Sequence, residues 1–286
     1  MNKPIKVIYI LGLGHSGSTL SDLILGSHSC VESGGEIDRF WDYISDSKPR
    51  LGEIERVCTC GLRVNECDYW NKVRGELKKL CGKTEVDPEP DDEKEFEENN
   101  YYLMKAILEA SGKEVFCDSS KSYPRLKKLL ASKLFDVQIV HLIRDGRAVA
   151  FSIKRKKERI GEKLINSYFK EIREWKQLNS RYFYQLKNLD NYCYIKYEDL
   201  VANSEESVSK ILAKFNLKFE IEQIQFWQFS HHNIGGNRMR MSGEQGIRKD
   251  NKYIIGLSFQ EWWLGNLYAL SGLRLFGYSI WRNKAI

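Results

Sequence analysis

The chain has 286 residues, 42% of them hydrophobic and 12% aromatic, with a formal net charge of +6. That content suits one large domain, or one domain with an inserted cap, around a well-filled core. No apolar run approaches the roughly 18 residues that span a bilayer, the early strand-like run argues against a signal peptide, and no Lys/Arg-rich arm or aromatic nucleic-acid motif is present.

Residues 5–11, IKVIYIL, form a short apolar, β-branched run ending at Gly12, the pattern of a buried strand. A glycine-rich turn and an amphipathic helix over 18–26 follow. Residues 28–83 read as irregular and hold most of the cysteines. The segment 84–98 carries nine acids against Lys94 alone and reads as a surface loop or linker into a helix at 98–111. With those acids set aside the remainder is markedly basic, which favours an anionic ligand unless it is simply a solvated basic surface. Then come strand 114–119 (EVFCDS), helix 123–134, strand 137–143 (VQIVHLI), helix 146–157, a long amphipathic helix over 162–187 and strand 192–197 (YCYIKY). Helix 204–215, a polar glycine-bearing stretch over 230–253 and a final helix at 258–276 complete the chain. Strands alternating with helices at this spacing imply an α/β fold, a central parallel β-sheet flanked by helices.

The stretch Gly12-Leu13-Gly14-His15-Ser16-Gly17-Ser18-Thr19 lies between the first strand and its helix, where glycines and helix N-terminal amides can cradle a phosphate. Its spacing is that of a Walker A loop, G-x-x-x-x-G-K-[ST], with Ser18 in place of the lysine. A nucleoside-triphosphate enzyme needs that lysine on the outer phosphates, so the loop suits a phosphate but argues against a kinase or ATPase. A generic strand-to-helix turn is the alternative. His15-Ser16-Gly17-Ser18-Thr19, followed by Leu20, resembles the phosphosulfate loop of the sulfotransferase family, approximately [KR]-S-G-[ST]-T. The resemblance implies a P-loop-like sulfotransferase fold and a donor, 3′-phosphoadenosine-5′-phosphosulfate (PAPS), held by Gly14, His15, Ser16, Gly17, Ser18, Thr19 and Leu20. His15 stands where the family carries lysine or arginine. An imidazolium can donate to the bridging oxygen as it becomes phosphate, and a dianionic neighbour favours its protonation; otherwise His15 caps the helix.

Three more blocks follow in family order. HLIRDGRAVAFSIKRKK (141–157) is similar to the 3′-phosphate signature, which implies that Arg144 and Ser152 grip the phosphate distinguishing PAPS; the usual R-D-P-R has become Arg144-Asp145-Gly146-Arg147. Arg144 at a strand end and Ser152 on the next helix can converge on one anion. Tyr197-Glu198-Asp199-Leu200 resembles the family's Y-E-D-L, whose tyrosine contacts the adenine, although an aromatic at a strand end can equally be packing. His231 to Arg240 resembles the H-x-x-x-G-N-x-x-R loop of bacterial members, making Arg240, or Arg238 in its stead, a second 3′-phosphate contact. The whole chain is read as a single sulfotransferase domain, with a variable acceptor-side cap at about 37–110.

Sulfuryl transfer needs a base for the acceptor's proton and cations for the leaving phosphate. Asp118-Ser119-Ser120-Lys121 occupies the position where many members carry a histidine base. It looks instead like the lysine-bearing form of tyrosylprotein sulfotransferases, in which a glutamate 21 residues after the loop's basic residue is the base. Glu36 lies 21 residues after His15. The resemblance therefore implies Glu36 as base and Lys121 as stabiliser of the transferring group; a loop carboxylate and a surface lysine are the plainer readings. Asp118 is expected to orient Lys121 or cap a turn, and no metal cofactor is expected. Cys58, Cys60 and Cys67 invite a zinc reading with Cys81 or His28 as fourth ligand, but paired C-x2-C spacing is absent. The odd count of seven cysteines fits a reducing, cytoplasmic compartment better than a disulfide framework. Phe40, Trp41, Tyr43, Tyr69 and Trp70 either line an acceptor pocket or build the core of the cap, the latter for most of them. The expected partner is a small-molecule acceptor, with no nucleic acid and no membrane. A phosphotransferase or nucleotide hydrolase using the same cradle, and a nucleotide-binding family member without catalysis, are the competing readings.

Overall fold

The computed structural model describes residues 3–45, 56–159, 161, 167–243 and 245–282. β1 (Ile5–Gly12) passes through a tight turn into α1 (Ser18–Gly26) and β2 (Val31–Gly35). α2 (Phe40–Ile44), α3 (Asp68–Cys81) and α4 (Glu93–Ser111) precede β3 (Val115–Lys121). α5 (Tyr123–Ala131), β4 (Phe135–Ile143), α6 (Gly146–Arg159), α7 (Ser167–Leu186) and β5 (Tyr192–Lys196) follow. α8 (Tyr197–Ala202), α9 (Ser204–Leu212), α10 (Lys252–Gly256) and α11 (Phe259–Leu275) close the chain.

The strands form one five-stranded sheet in the order β2-β3-β1-β4-β5, and every pairing is parallel. The chain leaves β1 toward β2 and β3 on one side and reaches β4 and β5 on the other. The order thus reverses at β1, and the crevice beyond its carboxyl end is where open α/β sheets bind ligands. Alternation along β1 explains why the sheet is covered on both faces. Val7, Tyr9 and Leu11 join one core with Phe40, Trp70, Leu77, Phe96 and Leu126; Ile8 and Ile10 join another with Leu20, Leu23, Ile24, Val208 and Ile211. A third cluster packs α6, α7 and α11 around Trp175 and Trp262. Each such aliphatic contributes about 1.5–3 kcal/mol by burial.

The structure differs from the sequence expectation chiefly in residues 28–98. β2 was hidden because VESGG has a single large apolar residue; it survives as an edge strand by pairing with β3 from Val31↔Val115 to Gly35↔Asp118. α3 falls in the stretch 28–83 expected to be irregular, yet it is a helix that buries Trp70, Val73 and Leu77 on one face. The acidic stretch is partly helical: Asp92 accepts a hydrogen bond from the Glu95 amide at 2.8 Å and caps α4, with Glu93 and Glu95 in the first turn, where the helix dipole favours them. Phe40 and Trp70 are core residues whose rings meet at 5.5 Å. The part of the long helix expected at 162–166 lies outside the described residues. Among the described residues, no helix is long and apolar enough to cross a membrane.

Candidate active site

The turn after β1 is built by close approach. A Cβ on Gly12 would lie 2.8 Å from the Leu142 carbonyl oxygen of β4, and one on Gly17 would lie 2.4 Å from the Tyr197 ring. His15 (φ 67°) and Gly17 (φ 94°) both adopt left-handed backbone, which costs glycine nothing and is uncommon for histidine. Gly17 is the N-cap of α1 and supplies no capping side chain, so the first amides of α1 keep their capacity to bind an anion. The Ser16 hydroxyl is buried without a hydrogen-bond partner.

His15 is also where the second block converges. Ser152 Oγ lies 2.9 Å from His15 Nδ1, and an Arg144 guanidinium nitrogen donates to the His15 carbonyl oxygen at 3.2 Å. The Arg144 guanidinium lies 4.5 Å from the centroid of the Tyr197 ring and forms an ion pair with Asp250 at 3.1 Å. Its Nε is buried with no partner. Tyr197 therefore packs between Gly17 and Arg144, and its hydroxyl donates to the Arg248 carbonyl oxygen at 3.3 Å. The Arg144-Asp145-Gly146-Arg147 departure has a steric cause: a Cβ at Gly146 would lie 2.4 Å from the Trp175 ring, whose Nε1 donates to the Arg144 carbonyl oxygen at 2.9 Å. Burial, then the charges of Lys156 and Arg144, pull the His15 pKa below its ordinary value, so the imidazole is neutral near pH 7.

A second group lies at the ends of β2 and β3. Lys121, itself in left-handed backbone at φ 66°, donates to Glu36 Oε1 at 2.5 Å and to the Ser119 carbonyl oxygen at 3.0 Å. Arg39 reaches the other Glu36 oxygen at 3.8 Å. Asp118 does not orient Lys121 directly. It accepts from the Ser120 amide at 2.9 Å, closing the turn, and pairs with the fully buried Arg125 at 2.9 Å. Arg125 also binds Glu89 at 2.6 Å and Asn100 Oδ1 at 2.6 Å, so the acidic loop is fastened to the site's foundation.

The loop after Phe229 joins the two groups. Ile234 bridges to Gly35, and the Glu36 amide donates to the Ile234 carbonyl oxygen at 2.8 Å. Gly235 packs on Glu36, where a Cβ would come within 2.6 Å; Gly236 packs on Thr19, whose hydroxyl accepts from the Asn237 amide at 2.9 Å. Glu36 and the N-terminus of α1 thus flank one glycine pair. Arg240 does not join the His15 group: its guanidinium binds Thr59 Oγ1 at 2.9 Å and the carbonyl oxygens of Asn233 (3.1 Å) and Val57 (2.9 Å). Reasoning from sequence missed Asp22, whose carboxyl burial pushes up to about 6 against hydrogen bonds from Ser33, Asn233 and Ser119. It also missed Asp38, pushed up to about 7 by burial against the opposing charge of Arg125. Neither carries a motif. The three cysteines do assemble, but with His232: Cys81 donates to the Leu77 carbonyl oxygen and His28 meets that of Lys218.

A family model described as the sulfotransferase family matches residues 7–221. The chain belongs to the sulfotransferase family. This sulfotransferase shares its fold with the sulfotransferase domain of the Synechococcus PCC 7002 olefin synthase (17% identity, TM-score 0.52, covering 98% of this chain and 97% of that one). It is similar in the same way to a sulfotransferase domain from the curacin biosynthetic pathway (18%, TM-score 0.58, 97% and 99%). Sulfotransferase STF9 from Mycobacterium avium matches at 12% identity and TM-score 0.51, covering 97% of this chain and 78% of that one. No curated protein sequence matches it. The family uses PAPS as sulfuryl donor, and the residues fit such a ligand: an uncapped helix N-terminus, an unpartnered Ser16 hydroxyl and an unpartnered Arg144 Nε lie around the turn between β1 and α1.

Proposed function

We propose that this sulfotransferase moves the sulfuryl group of PAPS onto a hydroxyl or amine of a small-molecule acceptor, with Glu36 as general base. The Glu36–Lys121 contact, held beside the glycine pair that also touches Thr19, carries this reading. The loop residues Gly14 to Leu20 bind the 5′-phosphosulfate end. Arg144 and Ser152 take the 3′-phosphate, which displaces the Asp250 carboxylate from the guanidinium, and Tyr197 walls the nucleotide side. Arg240 acts on the nucleotide only if it leaves its carbonyl contacts, so we assign it first to holding the loop.

Glu36 accepts the acceptor's proton as the acceptor oxygen or nitrogen bonds to sulfur and the bond from sulfur to the bridging oxygen breaks. Lys121 and His15 supply the positive field for the charge passing to the leaving phosphate. With Nδ1 engaged by Ser152, His15 acts through Nε2, and a dianionic phosphate beside it draws the ring back toward imidazolium. Acceptor choice resides in the 37–110 region of a single domain, in a cytoplasmic setting consistent with seven free cysteines.

Incubating the protein with PAPS and a panel of alcohols, phenols and amines, and measuring 3′-phosphoadenosine-5′-phosphate (PAP), tests this. At least one acceptor class is expected to accelerate PAP release, without added Mg²⁺. PAP release that no acceptor changes would overturn the transfer reading.

A further inference from the structure

We propose that Cys58, Cys60, Cys67 and His232 form a structural zinc site that fastens the active-site loop to the segment preceding α3. The four ligand atoms all lie within 4.8 Å of one another. Cys60 and Cys67 sulfurs are 3.7 Å apart, and Cys67 and Cys58 sulfurs 3.8 Å. His232 Nδ1 lies 3.6 Å from Cys58 Sγ and 3.3 Å from Cys67 Sγ. A tetrahedron with Zn–S of about 2.3 Å and Zn–N of about 2.0–2.1 Å has S···S edges of about 3.8 Å and S···N edges of about 3.5 Å. These four edges match that figure, and they are far beyond the ~2.05 Å of a disulfide.

The surroundings are those of a metal centre. Cys58 and Cys60 sit on a tight turn closed by the Gly61 amide on the Cys58 carbonyl oxygen (2.9 Å) and the Cys58 amide on that of Leu62 (2.8 Å). Cys67 is the N-cap of α3, so the start of that helix fixes the position of its sulfur. His232 is oriented from behind: Nε2 lies 3.3 Å from Ser230 Oγ and the ring stacks on Tyr69 at 4.7 Å. An outer partner on the second ring nitrogen fixes which nitrogen faces a metal. Cys58 and Cys67 are buried, while Cys60 is exposed, so an ion has a route in. Thiolates and imidazole in a closed four-ligand set select zinc over magnesium or calcium. Binding would release the three thiol protons to solvent.

The consequence is positional. His232 lies two residues before Ile234, whose backbone bonds to Gly34 and Glu36, and three before Gly235, which packs on Glu36. Arg240 ties the same loop to Val57 and Thr59. Zinc and Arg240 thus pin both ends of the segment that touches Glu36 and Thr19.

The full-length protein, made in zinc-supplemented medium without metal-affinity purification, should carry one zinc per chain by elemental mass spectrometry. Cys67→Ser and His232→Ala should carry none, whereas Cys81→Ser and Cys193→Ser should retain it. Cobalt(II) added to the metal-stripped wild-type chain should give the visible bands of tetrahedral thiolate-bound cobalt. That titration, with Cys60→Ser at the exposed position, keeps the test decisive if Cys67→Ser does not fold. A folded wild-type chain that takes up neither metal, a mapped disulfide among the three cysteines, or zinc retained in both Cys67→Ser and His232→Ala would overturn the site.

Discussion

Glu36→Gln is expected to lower turnover by about 10²–10⁴-fold, the range over which a positioned general base contributes, while PAP affinity and thermal stability stay unchanged. The amide is isosteric, and its oxygen can still accept from Lys121, so the geometry seen at 2.5 Å is preserved while the proton acceptor is lost. Asp38 is the informative comparison. It sits two residues away, is pushed up to about 7 by burial despite the opposing charge of Arg125, and has one buried oxygen without a partner. If Asp38→Asn abolished turnover and Glu36→Gln did not, the base would be Asp38. Single-turnover rates with saturating PAPS separate these outcomes from any change in binding.

Arg125→Ala is expected to destabilise the protein by about 3–5 kcal/mol, because it strands a buried carboxylate. Arg125 and Asp118 side chains are both 0% exposed, and the guanidinium also holds Glu89, Asn100 and the Pro88 carbonyl oxygen. For a chain of this size the melting temperature should fall by roughly 10 °C. The double variant Arg125→Met with Asp118→Asn should lose much less, since the fully buried carboxylate of Asp118 is no longer left charged and unpaired, while Glu89 is partly exposed. Equal melting temperatures for Arg125→Ala and the wild type would show that the buried pair does not anchor the β3–α5 turn.

What the sequence made legible followed from local signals. β1, β3, β4 and β5 are apolar runs bounded by turn residues, and the glycine pattern after β1 could be placed because strand and helix flanked it. His15, Arg144 and Ser152 stand in linear motifs, and the structure brings both Arg144 and Ser152 onto His15. β2 was illegible because its pairing with β3, not its composition, makes VESGG a strand. Arg240 was expected on the nucleotide and is found on the Val57–Thr59 turn, a tertiary preference no motif encodes. The cysteines show the same limit. Cys67 and His232 are 165 residues apart, so local ligand spacing points to Cys81 or His28 instead. The acidic segment misled in the other direction: charge suggested solvent, yet Glu89 reaches the buried Arg125.

The most direct test of the account is calorimetric titration of the wild-type protein with PAP, with 5′-AMP and ATP·Mg²⁺ as comparisons, at two pH values. Two or more charge-assisted hydrogen bonds from Arg144 and its neighbours to the 3′-phosphate, at about 1.5–3 kcal/mol each, predict that PAP binds about 100-fold or more tighter than 5′-AMP. Because the free His15 pKa is lowered and a bound dianion raises it, the complex holds more protons than the free protein. PAP affinity should therefore rise as pH falls from the bound-state pKa toward the free-state value, and His15→Asn should remove that share of the dependence. Equal affinity for PAP and 5′-AMP, or tighter binding of ATP·Mg²⁺, would contradict the assignment of Arg144 and Ser152 to the 3′-phosphate.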